Sequence, residues 1–73
     1  MSKLKITTSL KMCRLVEKEG FVAVRQNGSH RIFQHTNGCT VVIPIHPGDL
    51  RKELIYAILR EIKMSQEDYN SKI

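Results

Sequence analysis

The chain is poor in the residues from which many small folds draw extra support. Its 73 residues include two cysteines, two prolines, two tyrosines, two phenylalanines and no tryptophan. Cys13 and Cys39 lack the paired spacing of zinc sites or disulfide frameworks, so they read as free thiols, one in a helical pattern and one beside a turn. The scarcity of aromatic rings argues against a stacking platform for single-stranded bases. Three histidines without supporting cysteine or carboxylate spacing predict no metal site, and no cofactor is expected. No apolar run approaches the length of a membrane span, and Met1 to Lys11 is polar and basic, without the apolar region of a signal peptide. The expectation is a cytoplasmic protein with no membrane partner.

Acidic residues are also scarce. Twelve lysines and arginines face seven aspartates and glutamates, a formal charge of +5. Such an excess supports polyanion binding. With so few aromatics, recognition of phosphates and duplex shape is the expected mode. The length leaves room for one domain, residues 1–73, with one modest core.

Hydrophobic periodicity lays out the elements. Residues 1–6 carry two lysines and no helical stripe, and read as a loose arm. Thr7, Thr8 and Ser9 are candidate N-caps for a helix over about 8–19, where Met12, Leu15 and Val16 form the apolar stripe and Gly20 the stop. Phe21 to Gln26 reads as a strand, followed by Asn27-Gly28, the pair that suits a type I′ hairpin turn. Ser29 to His35 and Cys39 to Ile45 give two further strands, with Pro44 placed at an edge or strand end. Asp49 is the expected cap of a second helix over roughly 50–63. Ser65-x-x-Asp68 is the expected cap of a short terminal turn, a small helix before a frayed end, in the C-terminal tail 65–73.

The result is an α+β chain in the order α-β-β-β-α, a three-stranded antiparallel meander with two helices on one face and a short helical tail. Alternation puts Ser29, Arg31 and Phe33 on one side of strand two and His30, Ile32 and Gln34 on the other. Taking Phe33, Val41, Ile43 and Ile45 as inward leaves His30 exposed, with Val42, Pro44 and His46 facing the same way.

Gly28-Ser29-His30 carries the strongest chemical signal. Histidine can give or take a proton near neutral pH, and here it stands between Arg25 and Arg31, cations that attract phosphate. The setting suits cleavage of an RNA backbone, whose 2′-hydroxyl is an internal nucleophile that requires no metal. From spacing alone, an exposed strand histidine without a function is the commoner case. His35 and His46 read as a strand-end and a loop residue, His46 with a lesser claim as a second proton-transfer group or phosphate ligand. Ser29 can donate to phosphate or simply stabilise the turn.

Several stretches together resemble the HicA family of bacterial toxins: Leu15-Val16-Glu17-Lys18-Glu19-Gly20-Phe21, Val24-Arg25-Gln26-Asn27-Gly28-Ser29-His30, Ile32-Phe33 and Val41-Val42-Ile43-Pro44-Ile45-His46-Pro47-Gly48. Ile58-Leu59-Arg60 and Met64-Ser65-Gln66-Glu67-Asp68-Tyr69 extend the likeness to residue 69. The resemblance implies a fold like the double-stranded-RNA-binding domain. It also implies a type II toxin: an endoribonuclease that cuts mRNA with a single catalytic histidine, blocks translation and is paired with a HicB antitoxin. It carries over His30 as the catalytic residue, with Gly28 and Ser29 as the turn that positions it. Arg25, Gly28, Ser29, Arg31 and His46 are the candidate RNA-binding residues. The chain departs from the family at Glu53-Leu54-Ile55-Tyr56, where members commonly have Gly-Thr and then an arginine. The alternative function is a catalytically silent RNA-binding module, which charge and fold alone would support.

Overall fold

The structure, a computed structural model, describes residues 3–73. Helix α1 (Ser9–Lys18) is followed by strands β1 (Val22–Asn27), β2 (His30–Gln34) and β3 (Thr40–Pro44), then helices α2 (Lys52–Ile62) and α3 (Gln66–Lys72). The strands form one antiparallel sheet in the order β1-β2-β3. The α+β class and the element order are those the periodicities predict.

Helix α1 starts where the Thr8 hydroxyl accepts the Lys11 N–H. It ends in a Schellman cap: Gly20 takes φ +96°, its N–H reaches the Glu17 carbonyl, and Phe21 N–H reaches that of Val16. The apolar stripe of α1 buries Met12, Cys13, Leu15 and Val16. These meet Phe33, Val41 and Ile43 from the inner face of the sheet and Ile55, Ile58 and Leu59 from α2, in one continuous core. Both long helices therefore cover the face that bears Phe33, and the opposite face is open.

Three local expectations give way. The hairpin pairs Asn27 with His30, so its two-residue loop is Gly28-Ser29 rather than Asn27-Gly28. Gly28 has φ +58°, whereas neither Asn27 nor Ser29 has a positive φ. That is the sign pattern of a type II′ turn, with glycine at its first central position. Asp49 does not cap α2: Arg51 stands at the N-cap without a side-chain bond, and Asp49 bridges to Thr8 instead, beside Leu50 N–H donating to the Thr7 carbonyl. Burial of Leu50 draws this segment into the core and away from the helix start.

The third concerns the two ends of the chain. Met1 and Ser2, the start of the expected loose arm, lie outside the described residues, but Lys3 to Ile6 are tied down. Asn70 accepts the Lys5 N–H at 3.0 Å and donates to the Lys3 carbonyl at 2.7 Å. The fully buried Tyr69 donates its hydroxyl to the Lys5 carbonyl at 2.6 Å. Ser65 caps α3 as predicted, accepting from Asp68 N–H, and the expected short helical tail is a two-turn helix; what differs is its end, which is anchored in the core through Tyr69 rather than frayed.

Candidate functional site

His30 opens β2 and is exposed on the uncovered face of the sheet. Its cross-strand neighbours are Asn27 and Pro44. The tight Gly28-Ser29 loop fixes where β2 begins, and therefore which way His30 points.

Arg25 reaches the same face by an irregularity in β1. Ala23 pairs with Phe33, and Arg25 pairs with Ile32, so Val24 is an extra residue in the ladder. In an unbroken strand Arg25 would share the covered side with Ala23. The bulge at Val24 turns it over, so that it stands beside Ile32 on the side of His30. Arg25 and His30 become diagonal cross-strand neighbours, a separation of about 7–8 Å between backbones that an arginine side chain spans. Val24, Arg25, Ile32, Gln34 and Thr40 line a shallow concavity there.

Arg31 goes the other way. It alternates with His30 and pairs with the buried Ile43, which puts it on the helix side. Its Nε donates to Gln26 Oε1 at 3.0 Å, and its guanidinium lies beside the Cys13 thiol. Burial pushes the Cys13 pKa up, and Arg31 only partly opposes this, so the thiol stays protonated. The two arginines flank the hairpin in sequence but sit on opposite faces of the sheet.

Gln26 is a positioning residue that composition and motif do not reveal. Besides receiving Arg31, its Nε2 donates to the Gly28 carbonyl at 3.1 Å, bracing the loop that delivers His30. Its signal was its place in the ladder, directly opposite Arg31. Ser29 contributes its backbone carbonyl, which accepts the Ile45 N–H and extends the β2–β3 pairing past Pro44.

His46 follows on that extension and is exposed. Its backbone N–H donates to the buried Ser9 hydroxyl, which itself donates to the Pro44 carbonyl at 2.8 Å. Its ring Nδ1 lies 2.9 Å from the Pro47 carbonyl. His35 is different: its ring packs edge-on against Phe21 at 5.0 Å, and Nδ1 accepts the Asn37 N–H at 3.0 Å. Five residues along the strand from His30, roughly 16 Å away, it is part of the packing. Among the described residues, no group of three or more His, Cys, Asp and Glu side chains is placed to hold a metal ion.

The site thus joins an exposed imidazole, a guanidinium on the same face and a braced turn. Residues 10–64, which contain all of it, match a family model described as the HicA toxin of bacterial toxin–antitoxin systems. The chain belongs to the HicA toxin family. The match runs from the first turn of α1 to the residue after the α2 cap, and so includes the departure at Glu53–Tyr56. No curated protein matches the chain. Membership in the HicA toxin family makes the protein a toxin whose family works within toxin–antitoxin pairs. Among the described residues, no helix is long and apolar enough to cross a membrane.

Proposed function

We propose that this HicA-family toxin is a metal-independent endoribonuclease that cleaves mRNA, blocks translation in the cytoplasm and is held inactive by a HicB-type antitoxin. The observation that carries this reading is an exposed histidine at a braced hairpin end, with Arg25 turned onto its face by the Val24 bulge. His30 is the catalytic residue and moves a proton as the 2′-oxygen displaces the 5′-oxygen at the adjacent phosphate. Arg25 holds the phosphate and offsets the charge that builds on it. The Gly28-Ser29 loop keeps backbone groups close to the same phosphate, with Ser29 able to donate its hydroxyl. Arg31 supports the hairpin from behind.

An antitoxin that covers the open face would silence the site, because excluding phosphate from one side chain is sufficient. That face also exposes Val22 and Val42, apolar surface for a partner to bury. The sheet of a cationic domain favours an acidic partner, and complementary charge speeds association.

The test is cleavage of structured RNA by purified protein in chelator, with His30→Ala alongside. Loss of a general acid–base group costs about 10²–10⁴ in rate. Full cleavage by a folded His30→Ala variant would remove His30 from the mechanism. Binding without cleavage by the wild type would favour the silent RNA-binding module.

A further inference from the structure

His46 stands in a more defined setting than an exposed loop residue ordinarily has. His30 pairs with Pro44, and the Ile45 N–H bond to Ser29 carries the same register one residue further, which brings position 46 to the level of the hairpin loop. Ile45 packs against the core, which leaves His46 on the outward side with Pro44 and His30. Two independent contacts hold it there. The buried Ser9 hydroxyl bonds both to the Pro44 carbonyl and to the His46 N–H, in the manner of a neighbouring strand, and so keeps the chain extended past the end of β3. The ring is then fixed through Nδ1 at the Pro47 carbonyl.

That last contact decides the chemistry. A carbonyl oxygen can only accept, so Nδ1 carries the proton and donates it. Nε2 is then the nitrogen left with a lone pair able to accept a proton. His30 and His46 are diagonal across the strand pair, a spacing of about 7–8 Å between backbones. Gly28, in the hairpin loop beside them, has no side chain, and a Cβ added there would meet nothing within 4 Å. A phosphodiester lying between the two histidines would have one imidazole on either side.

We propose that His46 is the second proton-transfer residue of this centre, the general base, with His30 as the general acid. The inference rests on the ribonuclease reading above. His46 Nε2 removes the proton of the ribose 2′-hydroxyl as the 2′-oxygen–phosphorus bond forms. His30 gives a proton to the 5′-oxygen as the phosphorus–5′-oxygen bond breaks. The products are a 2′,3′-cyclic phosphate and a 5′-hydroxyl, and no water or further reactant is consumed. An in-line displacement needs its base and acid on opposite sides of phosphorus, a demand that two histidines at diagonal positions on one face can meet.

A leaving-group substitution tests the pair. The probes are an oligonucleotide carrying one ribonucleotide at a site the wild type cuts, and its analogue with sulfur in place of the bridging 5′-oxygen. A thiolate departs without a proton. His30→Ala should lose about 10²–10⁴ in kcat on the oxygen substrate and regain most of it on sulfur, whereas His46→Ala should lose a similar factor on both. His46→Gln, whose amide can still donate to the Pro47 carbonyl, should be as inactive as His46→Ala while keeping the wild-type circular dichroism. A kcat for His46→Ala within a few-fold of wild type, a loss confined to KM, or rescue of His46→Ala by sulfur would overturn the proposal. Any of these beside an inactive His30→Ala would leave the ribonuclease reading standing. A wild type that cuts neither probe nor structured RNA would overturn both.

Discussion

Gly20 and His35 are packed so closely that a Cβ at position 20 would lie 2.8 Å from Nε2 of the ring. The ring has little freedom to yield, because Phe21 and the Asn37 N–H hold it. The glycine also sits at φ +96°, a region that side chains disfavour. Gly20→Ala should therefore destabilise the fold by roughly 1–3 kcal/mol, combining backbone strain with a displaced ring. Urea unfolding of the two proteins measures this, and His35→Ala in the same background should relieve part of the cost. If Gly20→Ala matches the wild type, His35 is not the wedge that closes the helix end.

Opposite faces for Arg25 and Arg31 predict opposite phenotypes. Arg25→Ala should weaken RNA binding and lower the slope of log affinity against log salt by about 0.7–0.9, the signature of one lost phosphate contact. Arg31→Ala should leave that slope nearly unchanged and reduce stability, since it strips Gln26 of a partner and leaves Cys13 without its neighbouring cation. Titrations at several salt concentrations, with thermal melts of each variant, separate the two. A lower salt slope for Arg31→Ala would put its guanidinium on the nucleic acid after all.

Tyr69 ties the first described residues to the last helix, and its burial raises the phenol pKa from 10.0 to about 12. The folded chain thus keeps the phenolic proton after the unfolded chain has released it. The contribution of Tyr69 is present in full below pH 10 and is lost as pH rises toward 12. Tyr69→Phe should cost about 1 kcal/mol at neutral pH through the missing bond to Lys5. The gap between the variant and the wild type should shrink at pH 11. Urea midpoints at pH 8 and pH 11 give the comparison, and an unchanged or wider gap would contradict it.

The Thr7 side chain is buried, and its hydroxyl has no hydrogen-bond partner. Its backbone carbonyl, which receives Leu50, does not depend on the side chain. Thr7→Val keeps the shape and removes the stranded oxygen, so stability should rise by about 1 kcal/mol. A lower melting temperature for Thr7→Val would mean that the hydroxyl is satisfied in solution.

Local signals in the sequence carried the elements and much of the site. The stripe of α1 with Gly20 behind it, the alternation in β2 and the outward placement of His30 all depend on neighbours a few residues apart. What escaped depends on distant partners. The clasp between Lys5 and Asn70 joins residues 65 positions apart, and nothing near Lys3 or Lys5 announces it. Asp49 looked like a helix cap because its neighbours fit one, but the burial of Leu50 and the bridge to Thr8 outweighed that preference. Asn27-Gly28 suited one turn, and the ladder chose the loop one residue later. The face of Arg25 could not be read from alternation, because the bulge exists only in the pairing of β1 with β2.

That bulge makes the chemistry of the open face a question of counting. Which side of the sheet receives the guanidinium is set by the number of residues between Arg25 and Asn27, and by no property of the arginine itself. One residue added between Arg25 and Asn27 would preserve every functional group in the chain and, by alternation from the hairpin, turn the cation toward the helices. Within the family, an alignment gap at this point would separate toxins more deeply than most substitutions, although no motif residue would have changed.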